Sequence, residues 1–204
     1  MTANFYDSAA ITNLDAQPLV PLTEGEGAPA RLKQIDDFIT TVAADGVGST
    51  YRLARFPVEA KVKTVKAYIG DVDSNASATW TGDYNVSFSD STIDGTNPNL
   101  QGLIPKSTNN GTTTTVAAYS SPNNLFGTHA ASNSGAVQAS VDITYGGAYL
   151  PANKQTPLWS YFGFTNNAGV AQSPGGFFDI LIYVSAAAAT GHAGNLGVQV
   201  DYVA

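Results

Sequence analysis

The chain has 204 residues, of which 43% are hydrophobic and only 12% charged, with a formal net charge of −7 and no cysteine. That length fits one large β domain, or a domain of about 150 residues with an extended arm. The composition excludes disulfide frameworks and thiolate metal sites, argues against a nucleic-acid partner, and offers no run of the ~20 apolar residues that a membrane span needs.

Met1 to Ala30 has no sustained period and contains Pro18, Pro21, Pro29, Gly25 and Gly27, so it reads as an extended N-terminal arm preceding a domain over residues 31–204. Its start lacks the basic and apolar blocks of a signal peptide, which implies synthesis and assembly in the cytosol. Phe5, Tyr6, Ile11, Leu14, Leu19, Val20 and Leu22 are too many apolar residues for an inert tail. The arm is therefore expected to order against a neighbouring subunit, with folding back on its own domain as the alternative.

Arg31 to Ala44 carries two patterns. Leu32, Ile35, Ile39 and Val42 recur at helical spacing, whereas Phe38 to Val42 is rich in strand formers and Asp45-Gly46 signals a turn; a strand is preferred. Ser49 to Phe56 reads as a strand stopped by Pro57. Val58 to Ile69 reads as the next, with its apolar row shifting phase between Val62 and Val65 as one inserted residue would cause. Residues 31–66 hold seven bases against four acids, a possible docking block for an acidic surface, although Lys61, Lys63 and Lys66 also fit the wet face of a strand.

Tyr84, Val86 and Phe88 alternate with Asn85, Ser87 and Ser89, which are expected to face outward. Lys106 to Ser134 is a polar, turn-rich surface excursion with at most a weak strand near Thr113 to Tyr119. Val137, Ala139, Val141, Ile143 and Tyr145 then alternate with polar residues as a half-buried strand ending at Gly146-Gly147. Leu158, Trp159, Tyr161, Phe162 and Phe164 form a short aromatic plug in which one helical turn would bury Trp159 with Phe162.

Phe177 to Val184 is apolar on both alternating rows apart from Asp179, as in a strand covered on both faces; Leu196, Val198, Val200 and Tyr202 alternate with Gly197, Gln199 and Asp201. The two are expected to pair as a closing hairpin. Many short strands, frequent turns and almost no helix describe an all-β fold, a β-sandwich and most simply a jelly roll.

Chemistry-bearing patterns are sparse. His129 and His192 lie in small-residue loops outside any nucleophile or metal motif and read as surface histidines. Asp71, Asp73 and Asn75 have the spacing that opens a calcium loop, but Ala76 stands where the sharp-turn glycine belongs and Gly82 where the bidentate acid belongs. No local pattern selects a carboxylate pair for glycoside hydrolysis, so catalytic residues, cofactor and metal are all expected to be none.

Several stretches together resemble a family of tailed-bacteriophage virion proteins encoded near the major capsid protein. They are Gly48 to Arg55 with Pro57 and Ala60-Lys61-Val62; Asp90 to Gly95; Leu158-Trp159 with Gly163; Pro174 to Ile180; and Gly194 to Val198 with Asp201-Tyr202-Val203. The resemblance covers about residues 45–204. It implies a head decoration, or cement, protein: a β-sandwich homotrimer on the capsid exterior, binding the major capsid protein across capsomer boundaries, with no nucleic acid or membrane partner and made in the host bacterial cytoplasm. Expected partner contacts are Phe5, Tyr6, Ile11, Leu14, Leu19 and Leu22 in the arm, with Arg31, Lys33, Arg52 and Arg55 as polar partners. A tail, baseplate or head-fibre component contacting a host receptor or carbohydrate is the alternative.

Overall fold

A computed structural model describes residues 5–8, 11–12, 15, 32–74, 79–88, 112–113, 125–130, 140–166 and 168–204. Among the described residues the strands are β1 (Phe5–Asp7), β2 (Leu32–Thr40), β3 (Thr50–Pro57), β4 (Lys61–Ile69), β5 (Thr81–Phe88), β6 (Thr112–Thr113), β7 (Gly127–Ala130), β8 (Val141–Asp142), β9 (Thr165–Asn166), β10 (Phe177–Ala186) and β11 (Asn195–Val203), and the short helix α1 spans Leu158–Tyr161. They form a five-stranded sheet in the order β1-β3-β10-β5-β7, a four-stranded sheet in the order β2-β11-β4-β8, and a small β6-β9 pair. The two larger sheets pack face to face as a β-sandwich.

The core is the meeting of two alternating rows. Tyr51, Leu53, Phe56, Tyr84, Val86, Phe178, Ile180, Ile182 and Val184 come from one sheet; Val62, Val65, Ala67, Ile69, Leu196, Val198, Val200 and Tyr202 come from the other. In β4, and in β11 from Val198 onward, the period of two in the sequence is the period of burial, whereas β3 and β10 are buried on both faces. Leu32 to Thr40 forms the strand β2, whose odd residues from Lys33 to Ile39 face the five-stranded sheet and whose even residues are exposed. The helical spacing there is coincidental, because β2 exchanges its ladder bonds with β11 over its whole length.

Two bulges set the faces of the flanking strands. In β4, Asp201 pairs with Thr64 and Tyr202 with Val62, so Lys63 is the inserted residue and the phase shift read in the sequence is a real bulge. Lys61 and Lys66 consequently share the outer face, while Lys63 Nζ reaches the Lys154 carbonyl at 2.6 Å. In β3, Asp179 pairs with Arg55 and Ile180 with Leu53, leaving Ala54 over at φ 47.

The expected closing hairpin does not form. β10 lies between β3 and β5, and β11 between β2 and β4, so neither has a free edge to offer the other; residues 187–194 carry the chain from one sheet to the other. Asp73 holds that crossing. It is 1% exposed, and its carboxylate accepts from the backbone N–H of Thr79 at 2.8 Å, Trp80 at 3.4 Å, Ala189 at 2.9 Å and Thr190 at 3.1 Å. The calcium-like spacing is therefore a turn organised by one carboxylate, and Asn75 lies outside the described residues.

Other expectations change for local reasons. Asn85 and Ser87 are buried rather than wet, because the outer face of the five-stranded sheet is covered as well, and Asn85 Oδ1 accepts from Leu125 N–H at 2.7 Å. The strand expected over residues 137–145 is regular only at Val141–Asp142 among the described residues. Beyond it Thr144 Oγ1 takes the Val65 N–H at 2.8 Å, a side chain replacing the backbone, and Val141 and Tyr145 are exposed. In α1 it is Leu158, with Phe162 four residues on, that is buried; Trp159 is half-buried. His129 is no surface residue: it lies buried on β7 opposite Gly82, while His192 is exposed.

Candidate partner interface

The N-terminal arm meets the sandwich where its two sheets come together at one edge. β1 runs parallel to β3 as an added edge strand, with Phe5 beside Thr50, Tyr6 beside Tyr51 and Asp7 beside Arg52. The Tyr6 ring stacks on Tyr51 with centroids 5.1 Å apart and planes 17° apart. Ser8 then turns the chain: its N–H donates to the Arg52 carbonyl at 2.8 Å, and its Oγ accepts the Ile11 N–H at 3.2 Å as an N-cap does. The Thr12 N–H closes the turn on the Ser8 carbonyl at 2.9 Å, and Ile11 is fully buried.

Beneath this turn the arm is tied to both sheets through Asp37. Ser8 Oγ donates to Asp37 Oδ2, and the same oxygen accepts the Ala54 N–H at 2.9 Å, the amide that the bulge leaves without a ladder partner. One carboxylate on β2 thus joins β3 and the arm. A buried amide left without a partner would cost about 1–3 kcal/mol, which is the physical role of Asp37 here.

The outer face holds a cluster of five charges. Asp179, fully buried on β10, accepts from Arg52 Nη2 at 2.5 Å, from Arg55 Nε at 2.7 Å and from Arg55 Nη2 at 3.0 Å. Arg52 Nε lies 3.7 Å from Asp7, and Arg55 Nη1 lies 2.5 Å from Asp15, so each arginine connects the sheet to the arm. Burial would lower the Arg55 basicity, but its hydrogen bonds to Asp179 and Asp15 outweigh this and raise it, keeping the guanidinium charged. Burial raises the Asp7 carboxyl, the Arg52 charge opposing it only in part.

Of the residues expected to contact a partner, the structure brings Tyr6, Ile11, Arg52 and Arg55 into one site. Both guanidinium groups are engaged within the chain, so these arginines hold the arm. Lys33 stands apart, half-buried on β2 opposite Tyr202. Phe5 is placed by its backbone alone, and Leu14, Leu19, Leu22 and Arg31 lie outside the described residues. Ser8, Asp37, Ala54 and Asp179 were not singled out as contacts. Asp179 carried a signal, being the lone charge in an apolar strand; Ser8 and Asp37 carried none, since their roles depend on a partner 29 residues away.

Among the described residues no group of three or more histidine, cysteine or acidic side chains is placed to hold a metal ion, and no helix is long and apolar enough to cross a membrane. No family model matches the chain, and no curated protein matches its sequence. Two solved structures are similar to it. A chain from the capsid of Ralstonia phage GP4 is similar at 15% identity and a TM-score of 0.50, over 98% of this chain and 97% of that one. A chain of the cyanophage Pam1 capsid asymmetric unit is similar at 19% identity and a TM-score of 0.42, over 92% and 95%. At these identities the first likeness is one of fold.

Proposed function

We propose that this chain is a structural virion protein of a tailed bacteriophage, a decoration or cement protein that binds the outside of the head and stabilises contacts between major capsid protein capsomers. The observation that carries this is the correspondence, over nearly the full length of both chains, with a chain from the Ralstonia phage GP4 capsid. The sequence resemblance to tailed-bacteriophage virion proteins, which implies a head decoration role, points the same way. Fold alone assigns no function, so the weight rests on the two together.

The strand order supports the jelly-roll form of sandwich. With β1 and the β6-β9 pair set aside, eight strands remain among the described residues, and the first pairs with the eighth (β2 with β11), the second with the seventh (β3 with β10), the third with the sixth (β4 with β8) and the fourth with the fifth (β5 with β7). All four pairs are antiparallel and alternate between the sheets, the pattern of one long hairpin rolled up on itself.

In this role the chain acts by buried area and repetition rather than by chemistry. An interface of ~1,600 Å² is ordinary for a stable contact, and many such contacts on a lattice add through effective concentration. The apolar arm, with Phe5, Tyr6, Ile11, Leu14, Leu19 and Leu22, supplies the partner surface together with Arg31 and Lys33, and the assembly is a homotrimer on the capsid exterior. The test is co-sedimentation of the purified protein with heads that lack it. Saturable binding with higher resistance of the heads to disruption is expected; no binding to heads together with binding to tails or host cells would overturn the decoration role.

A further inference from the structure

We infer that the arm is an exchangeable strap: in the assembled homo-oligomer, the segment carrying Tyr6, Ser8, Ile11 and Asp15 seats on the β3 edge of a second copy of this chain, through the contacts seen here within one copy. The inference rests on the reading that this chain assembles with copies of itself, and it deepens that reading by naming the contact.

Three observations lead there. First, the eight-strand roll is complete without the arm. β1 is a three-residue parallel strand added outside β3, whereas every strand pair of the roll is antiparallel. The arm therefore occupies an edge that any copy of the same segment could occupy, and edge strands are where chains add to one another.

Second, the seat is specific for this segment. Tyr51 offers a ring to Tyr6, Asp37 a carboxylate oxygen to Ser8, and Arg55 a guanidinium to Asp15. Ile11 fills a site where it is fully buried. A segment of other chemistry would leave the Asp37 carboxylate and the Arg55 donors short of partners, so the natural occupant is an arm of identical sequence.

Third, the number of residues between Asp15 and β2 exceeds what the crossing needs. Asp15 is held at Arg55, near the end of β3, and β2 begins at Leu32, which lies two strands from Lys61 through Val203. Arg55 and Lys61 are six residues apart around the turn at Ala60, so the arm ends and β2 begins at the same end of the sandwich. The span to be crossed is about 20 Å, two strand spacings plus the gap between sheets. Residues 16–31 can span about 50 Å when extended, more than twice that crossing, which leaves length for a seat on an adjacent copy. Contacts made in one copy or between two are equal in kind, and a closed oligomer that presents neighbouring seats favours exchange.

The chain lacks cysteine, which makes the test direct. Phe5 and Thr50 are register partners on neighbouring strands, whose spacing of about 4.8 Å lies within the Cα range of a disulfide. Two differently tagged single variants, Phe5→Cys and Thr50→Cys, are co-expressed and oxidised. A disulfide joining the two tags is expected, since neither variant can form it alone within one chain. In the double variant, covalent dimers and higher species are expected on a non-reducing gel, and exclusively internal disulfides would overturn exchange.

A second measurement avoids dependence on thiol geometry. A photo-crosslinking amino acid replaces Tyr6 in a mixture of isotopically light and heavy chains assembled together, and the crosslinked Tyr51 peptide is weighed. Mixed light and heavy products support exchange. Products within one isotope only, or no crosslink to Tyr51 at all, overturn it, as does a chain that is monomeric at every concentration. Head binding is scored separately: internal crosslinks with binding retained sink exchange alone, and exchange without head binding sinks the decoration role alone.

Discussion

Arg55 and Asp179 face each other directly across the β3–β10 ladder and are joined by two parallel hydrogen bonds, Nε to Oδ1 at 2.7 Å and Nη2 to Oδ2 at 3.0 Å. This forked geometry is what a planar guanidinium offers a carboxylate and an ammonium cannot. Because Asp179 also takes Arg52, its removal leaves two arginines without their central acceptor. Asp179→Ala is expected to cost about 3–5 kcal/mol, the range for breaking a buried ion pair from one side. Urea unfolding of the variant reads this directly, and a loss below ~1 kcal/mol would mean that the cluster is solvated in solution.

Asp73 offers a second clean target, since it joins residues 79–80 to residues 189–190 through four backbone amides. Asp73→Ala is expected to lower stability by about 2–3 kcal/mol, and Asp73→Asn by less, because the amide oxygen still accepts. Added calcium should leave the melting temperature of the wild type unchanged. A marked rise with calcium would show that the carboxylate holds an ion instead of the loop.

Two glycines in the sheets should respond very differently to the same methyl group. A Cβ on Gly82 would sit 2.6 Å from Trp80 Cη2 and 2.9 Å from Ile182 Cγ2, both within the core. A Cβ on Gly197 would sit 2.4 Å from the Phe38 ring, but that side chain is 55% exposed and can swing aside. Gly82→Ala is expected to cost about 1–3 kcal/mol by overpacking, and Gly197→Ala about 0.5 kcal/mol or less. Thermal melts of the two variants side by side would decide, equal losses being the adverse result.

The bulge at Ala54 predicts an asymmetry of another kind. Its φ of 47 lies in the left-handed region, and its side chain is fully buried. Ala54→Gly removes the backbone strain but also a buried methyl, terms of about 1 kcal/mol each, so stability should hardly change. Ala54→Val places a β-branched residue in the same conformation and is expected to cost more than ~2 kcal/mol. A well-tolerated valine would mean that the bulge moves.

Asp83 provides the pH dependence. Burial raises its carboxyl, with the Thr128 and Ser185 hydroxyls opposing in part. The folded state then binds this proton more tightly than the unfolded state does, so the contribution is most favourable below the unfolded value and is lost as pH rises through the folded one. Asp83→Asn removes that slope. Relative to the variant, the wild type should lose stability as pH rises above the ordinary aspartate value of about 3.9, read from melting temperatures of both proteins across the range. A difference that stays constant or runs the other way would refute the assignment to Asp83.

What the sequence determined on its own was local. The alternation of β4, β5 and β11, the two-sided apolarity of β10, the strand rather than helix at Leu32–Thr40, and the bulge between Val62 and Val65 all follow from how each segment distributes apolar residues over its two side-chain rows, a pattern it carries within itself. Tertiary structure decided which strand pairs with which, because several strands of similar apolarity compete for the same edges, and adjacency in sequence does not choose among them. So β10 and β11 went to different sheets. It also decided the site. Arg52 and Arg55 are three apart and would face opposite ways on a regular strand; only the extra residue at Ala54, opposite β10, turns both guanidinium groups toward Asp179, 124 and 127 residues away. Charge type was visible in the chain, but its convergence depended on a register set by a distant partner strand.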